Sequence, residues 1–351
     1  MSDENQKSGR RLKRIGITTT VPIEVLLAAG YMPVDLNNVF ITDADPERLV
    51  RKAERAGFPL NTCAWIKGIY SVCLEQKLDS VICVTTGDCS NTTMLMEVLK
   101  LRGITTIPFA FPDEPDVDRM QIALESLAER LGTTMIEAEK VRESLWPCRE
   151  TLWEIDRLTW GENRAGGFEN HYWLVSSSDF NQDIDKFCVD VNRSACEYRS
   201  RPPFPPEELR LAFIGVPPVF AKELYPYLEQ NGGRVVYNEI QRQFAMINPV
   251  KSLAEQYTLY TYPYPLEGRI EDIKKAVAER QIDGIVHYVQ AFCHRGIGDI
   301  VLRSNLGLPI LTLEGNTDFK LTQHVKTRLE AFTDMLGQIK AKKSSTGKGA
   351  C

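Results

Sequence analysis

The sequence predicts an α/β protein made of two similar halves, each a parallel sheet with helices on both faces. Three observations predict it. Short β-branched runs alternate with longer helical patterns along most of the chain. The alternation breaks at Arg201-Pro202-Pro203-Phe204-Pro205-Pro206 and then restarts. A segment running from Asp79 to Cys89 returns between Asp283 and Cys293, in the same ten steps. Apolar strands separated by helices are the pattern of a parallel sheet buried on both sides. The 351 residues suit roughly two domains.

In order, Ile15–Val21 reads as a buried strand, Ile23–Ala29 as a short helix closed by Gly30, and Met32–Leu36 as a strand. Pro46–Ala56 and Ala64–Leu78 read as helices, Ser80–Thr85 as a strongly apolar strand, Asn91–Arg102 as a helix stopped by Gly103, and Thr105–Phe109 as a strand. Val117–Leu131 and Ile136–Thr159 are helical and form an insertion. The prolines after Arg201 permit neither a helix nor a central strand. Beyond them come strand Leu211–Val216, helix Lys222–Gln230, strand Arg234–Tyr237, helix Ile270–Arg280, strand Gly284–Val289, helix Ile297–Asn305, strand Ile310–Leu313 and a closing helix, Thr322–Lys340. The expected organisation is a disordered N-terminus at 1–13, a first half at 14–200, a second at 201–340 and a flexible tail at 341–351. Ile107-Pro108 and Pro309-Ile310 look like a further matched pair between the halves.

Composition narrows the function classes. The chain is 43% hydrophobic and 25% charged, with a net charge of −5 from 42 basic and 47 acidic residues. That excludes a basic protein that coats nucleic acid. No run of about 18 apolar residues exists to cross a membrane. The start, Met-Ser-Asp-Glu-Asn-Gln-Lys, lacks the apolar stretch of a signal peptide, so a cytoplasmic protein is expected. The nine cysteines are then expected to be reduced.

Three of them sit where ligands bind in open parallel sheets, beyond the carboxyl ends of strands. Cys89 and Cys293 each lie between a strand and the next helix, and Cys63 opens the helix leading into the Cys89 strand. The amides of the following helices favour thiolate, and Gly87, Gly296 and Gly298 allow close approach of a bulky ligand. No Cys-x-x-Cys pair announces a structural zinc site, and the close cysteine run of a ferredoxin is absent. Thiols on separate turns suit a cubane iron–sulfur cluster with one iron left open, or else they are buried side chains without a ligand. Cys73 lies ten residues beyond Cys63, roughly 15 Å along a helix, too far to share a metal. Cys83 reads as core, Cys148 as structural and Cys351 as tail. Cys188 and Cys196, eight apart, either pack structurally or face one site.

Glu24 either acts at the mouth of the first strand or favours the first turn of its helix, and the preference of that turn for acidic residues supports the second role. His294 either donates a hydrogen bond to cluster sulfur or lies exposed, and Asn91 and Gln290 have the same choice. His287 reads as a core histidine. Glu169 and His171 read as part of a loop, and Tyr257–Tyr264 as a lid or a packing loop.

The segment from Gly16 through Val21-Pro22-Ile23-Glu24 to Asn38 resembles the start of the 2-hydroxyacyl-CoA dehydratase and benzoyl-CoA reductase superfamily, in the manner of a 2-hydroxyglutaryl-CoA dehydratase D-component. Cys63 with Lys67-Gly68, Gly87-Asp88-Cys89-Ser90-Asn91-Thr92, Gln290-Ala-Phe-Cys293-His294 and Leu308–Glu314 agree with it. The resemblance implies two flavodoxin-like (Rossmann-like) halves around one [4Fe–4S] cluster in the cleft between them, held by Cys63, Cys89 and Cys293. It implies low-potential one-electron transfer to a CoA thioester or another small molecule, through a ketyl radical that makes loss of an unactivated β-hydrogen feasible. The electron would come from a separate ATP-dependent iron–sulfur activator, because Ser345-Thr346-Gly347-Lys348-Gly349 fails the phosphate-loop spacing. The chain would pair as a homodimer or with a related subunit. Two further readings stay open: a double-cubane reductase using Cys188 and Cys196 (with Cys148), and a non-catalytic electron-transfer subunit. A cluster-free binding protein with buried thiols is the third.

Overall fold

The computed structural model describes residues 12–206 and 208–347, with side chains described as far as residue 343. The first half runs β1 (Lys13–Ile17), α1 (Ile23–Ala28), β2 (Tyr31–Asp35), α2 (Leu36–Thr42), α3 (Pro46–Arg55), α4 (Ala64–Glu75), β3 (Ser80–Thr86), α5 (Thr92–Leu101) and β4 (Thr105–Ala110). Four helices follow: α6 (Val117–Leu131), α7 (Met135–Trp160), α8 (Gly167–Ser176) and α9 (Ile184–Ser200). The second half runs β5 (Leu209–Gly215), α10 (Ala221–Gln230), β6 (Gly233–Asn238), α11 (Glu239–Phe244), α12 (Leu253–Thr258), α13 (Leu266–Glu279), β7 (Gly284–Gln290), α14 (Asp299–Leu306), β8 (Ile310–Gly315) and α15 (Gln323–Gly347).

Each half is a four-stranded, all-parallel sheet, in the orders β2-β1-β3-β4 and β6-β5-β7-β8. The orders match strand for strand, so the fold is a pair of duplicated flavodoxin-like halves. β1 and β3, like β5 and β7, are adjacent strands whose connections leave in opposite directions. A crevice opens at that reversal, beyond the strand ends. The repeat between Asp79–Cys89 and Asp283–Cys293 lies on the equivalent strands β3 and β7. The proline match does not extend to structure: Pro108 sits inside β4 opposite Cys83, whereas Pro309 precedes β8. Pro108 is tolerated because β4 is an edge strand.

Several elements differ from the sequence expectation. β1 stops at Ile17, and Thr18 then bends away, its hydroxyl accepting the Val84 amide at 3.1 Å. Helix α2 begins Leu-Asn-Asn-Val, a poor helical sequence. The Asp35 carboxylate starts it by accepting the amides of Asn37 (2.9 Å) and Asn38 (3.4 Å). Glu169 and His171 lie in α8 rather than a loop. The Glu169 carboxylate accepts the Gly166 amide at 2.8 Å, and His171 is buried against Tyr225 at 3.0 Å. Helix α15 continues past Lys340 to Gly347. Residues 1–11 and 348–351 of the expected ends, Cys351 included, lie outside the described residues.

The core of the first half is not confined to its own chain segment. Ile240, Ala245, Leu253, Tyr257, Tyr260 and Tyr264, all from the second half, are buried in it. Tyr257–Tyr264 is therefore a packing segment. Gly68 in α4 lets that helix close on α2, since a Cβ there would lie 2.3 Å from the Phe40 ring. Gly68→Ala is expected to destabilise the protein by about 1–3 kcal/mol through overpacking. Gly337→Ala in α15, where a Cβ meets nothing within 4 Å, is expected to be neutral or to stabilise by up to about 1 kcal/mol. Urea unfolding of both variants checks this.

Candidate metal centre

The strand ends of both sheets open into one cavity of about 120 Å³. The three expected cysteines all line it. Cys63 stands at the N-terminus of α4, Cys89 in the turn between β3 and α5, and Cys293 between β7 and a 3₁₀ turn, His294–Gly298, that leads into α14. Cys148, Cys188, Cys196, Cys73 and Cys83 do not line it.

The backbone supplies donors to each sulfur. Amides of Trp65 and Ile66 face Cys63, that of Asn91 faces Cys89, and those of Arg295 and Gly296 face Cys293. These donors favour thiolate, as the helix starts predicted, but burial outweighs them. Burial pushes Cys63 up to about 11 and Cys89 up to about 12, and raises Cys293 as well. Neighbouring negative charge adds to this: Cys293 raises Cys63, and Asp88, Cys63 and Cys293 raise Cys89. The three sulfurs are thus within electrostatic reach of one another. Among the described residues, no three His, Cys, Asp or Glu side chains converge closely enough for a single metal ion. The arrangement offers soft donors around a space, which suits a polynuclear cluster better than a lone zinc.

The other predicted residues separate. Gln290 lines the cavity, and its Oε1 accepts the Trp65 indole N–H at 2.9 Å. Asn91 stands at the N-terminal cap position of α5 outside the lining, makes no capping hydrogen bond, and turns its amide toward Cys89. His294 is exposed and does not line the cavity. Glu24 is fully buried away from it, with no capping contact. Its carboxylate pairs with Arg149 at 2.6 Å and accepts from Gln256 and Tyr257, each at 2.7 Å. His287 is a core residue whose Nδ1 meets Asp299 at 2.6 Å.

Cys188 and Cys196 do not face one site. Eight residues turn a helix by about 80° beyond whole turns and advance it roughly 12 Å. Cys196 is exposed beside Arg199, while Cys188 is a hydrogen-bond neighbour of Cys148, which pushes Cys148 up and Cys188 down. Lys67-Gly68 is structural: buried Lys67 donates to Glu54 at 2.7 Å and to the Leu60 carbonyl at 2.9 Å. Gly87 does not face the ligand space. It adopts φ +94° and packs against Pro263 and Phe111, where a Cβ would lie 2.8 and 2.9 Å away.

Residues that sequence reasoning missed include Asp88, Thr20, Thr92, Tyr260 and Tyr262, all on the cavity wall. Asp88 had a signal, its place beside Cys89 in the quoted motif. Burial pushes its carboxyl up to about 6, although the Arg295 charge pulls the other way. Tyr260 and Tyr262 belong to the aromatic segment Tyr257–Tyr264, read from sequence as a lid or a packing loop, but nothing local placed them on this wall.

Residues 18–336 match the family described as 2-hydroxyglutaryl-CoA dehydratase, D-component. No curated protein matches the chain.

Glu24 generates a stability prediction. Burial would raise its pKa, but the Arg149 charge and the hydrogen bonds from Tyr257 and Gln256 hold it below the ordinary carboxylate value. Arg149→Met leaves that carboxylate unpaired and is expected to cost about 3–5 kcal/mol, much of it recovered in the double variant with Glu24→Gln. A depressed carboxylate stabilises fully above its unfolded pKa and loses that contribution as pH falls through the folded one. The stability gap between the wild type and Glu24→Gln should therefore shrink below the ordinary value of 4.5. Urea titrations at neutral and acidic pH measure it.

Proposed function

The chain belongs to the 2-hydroxyglutaryl-CoA dehydratase D-component family, and on that premise we propose that it is the iron–sulfur component of a 2-hydroxyacyl-CoA dehydratase-type system. In this reading Cys63, Cys89 and Cys293 hold a [4Fe–4S] cluster. The observation that supports it is that three thiols from both sheets line one cavity, without another cysteine among the lining residues. Three protein ligands leave one metal position open for a substrate atom. When bound, the cluster supplies a single electron at low potential.

The chain's own residues prepare the place. The amides of Trp65, Ile66, Asn91, Arg295 and Gly296 lie on the sulfur side of their turns and favour the thiolate form, and donors so placed tune a cluster's potential. Tyr260, Tyr262 and Trp65 form wall and exclude water. A wider outer cleft shares Asn38, Ile41 and Val175 with the cavity, and offers a CoA thioester a way in. The sequence has no phosphate loop, so ATP-driven reduction belongs to a separate activator protein. A second copy of this chain or a related subunit completes the dehydratase. The side-chain positions do not favour a second cubane, since Cys188 and Cys196 lie off the cavity.

Anaerobically purified protein is expected to carry about four iron and four acid-labile sulfides per chain. Cys63→Ala, Cys89→Ala and Cys293→Ala should each lose most of that iron, whereas Cys73→Ala and Cys188→Ala should keep it. Full iron in all three cavity variants sinks the ligand assignment, and about eight iron per chain restores the double cubane. Incubation with reductant, ATP, an activator and a panel of 2-hydroxyacyl-CoA thioesters then tests turnover.

A further inference from the structure

We infer that Arg295 is the fixed positive charge of the metal centre and raises the reduction potential of the group that the three cysteines hold. The inference rests on the cluster reading above and adds a residue to it. It comes from where the guanidinium lies and from what it leaves unpaired.

Arg295 belongs to the 3₁₀ turn His294–Gly298 that follows Cys293. Its side chain lines a narrow cleft beside the main cavity, and the two spaces share Val216, Tyr262, Gln290 and Cys293. Its Nη2 donates to the Gly87 carbonyl of the other half at 2.8 Å, and its guanidinium lies 4.0 Å from the Tyr262 ring centroid. These contacts hold the charge in place without neutralising it. The Nε atom is buried and has no hydrogen-bond partner. A buried donor left unpaired is unfavourable, so the cleft calls for an acceptor that the side chains around it do not supply.

Other cations near the cysteines are already neutralised. Lys67, whose charge reaches Cys63, pairs with Glu54 at 2.7 Å. Arg269 lines the same cleft as Arg295 and pairs with Glu239 at 2.6 Å. Arg295 makes no ion pair of this kind among the described residues, although its charge is felt by Asp88 and draws Cys293 down against the effect of burial. An iron–sulfur core on three thiolates carries net negative charge, and reduction adds one more. Nearby charge and hydrogen-bond donors set the potential of such a group. A cation fixed in a poorly solvated cleft therefore favours the reduced form.

The test is an anaerobic redox titration of the iron-loaded full chain, followed by electron paramagnetic resonance. Arg295→Gln keeps a neutral donor for the Gly87 carbonyl and removes the charge, whereas Arg295→Lys keeps the charge. With iron content unchanged, Arg295→Gln is expected to make reduction about tenfold less favourable, a midpoint about 59 mV more negative. Arg295→Lys is expected to recover most of that shift. A residue that only ties the halves together predicts no shift in a glutamine variant that keeps its iron. An unchanged or raised potential in Arg295→Gln, or an equal shift in both variants, overturns this inference and leaves the cluster reading standing. If Arg295→Gln loses its iron, Arg295→Lys decides: iron retained at the wild-type potential supports the charge, and any other result overturns it. A wild-type chain without iron overturns the cluster reading and this inference with it.

Discussion

Two hydrogen bonds join the halves beside the cavity cysteines. Arg295 donates to the Gly87 carbonyl at 2.8 Å, and the Trp65 indole donates to Gln290 at 2.9 Å. Each joins a residue close in sequence to a cavity cysteine of one half to a residue close to a cysteine of the other. Both anchors are partly or fully buried, so water competes weakly for the bonded atoms. This clasp ties the rims of the two crevices where they share a wall.

The clasp holds because the halves are also woven together beneath it. After β6 the chain does not return at once to its own sheet. It crosses to the first half through α11, α12 and the tyrosine segment, and buries Tyr257, Tyr260 and Tyr264 there. Tyr257 then donates to Glu24, which Arg149 of α7 neutralises. On the other side the insertion helices reach into the second half. Arg280 bonds both oxygens of Asp156 at 2.9 and 2.6 Å, and fully buried Arg234 donates to the Thr159 carbonyl at 2.7 Å. Planar guanidinium groups fit such sites because they satisfy several acceptors at once. The exchange of elements makes the relative position of the halves a property of the core rather than of a surface contact.

The same enclosure decides the electrostatics of the cavity. Helix starts and backbone amides point at the sulfurs, yet burial raises all three thiols. In a dry site, negative charge accumulates only against a compensating positive one. A metal cluster is such a compensating group, and the proposed ligand set depends on that match. The carboxyls of Asp35 and Asp88 respond to burial in the same direction.

The sequence by itself determined the α/β class, the parallel sheets, the repeat linking β3 to β7, and the turns on which Cys63, Cys89 and Cys293 sit. Those features follow from hydrophobic periodicity and from the rule that strand ends in parallel sheets carry sites, both of which are local or topological. It also separated Cys73 and Cys83 as core residues. Tertiary structure alone decided that Glu24 is a sealed ion pair, that His294 faces outward, that Cys188 neighbours Cys148 rather than Cys196, and that Thr20, Thr92, Tyr260 and Tyr262 complete the cavity. Helix α9 carries a helical period of buried Phe187, Val191, Ala195 and Tyr198 that the sequence reading did not take up, whereas α2, α8, α11 and α12 were hidden for a related reason. Their short or polar sequences are held by caps and by burial against distant segments, not by intrinsic preference. What a residue touches across a hundred or more positions leaves no periodic trace in the chain that carries it.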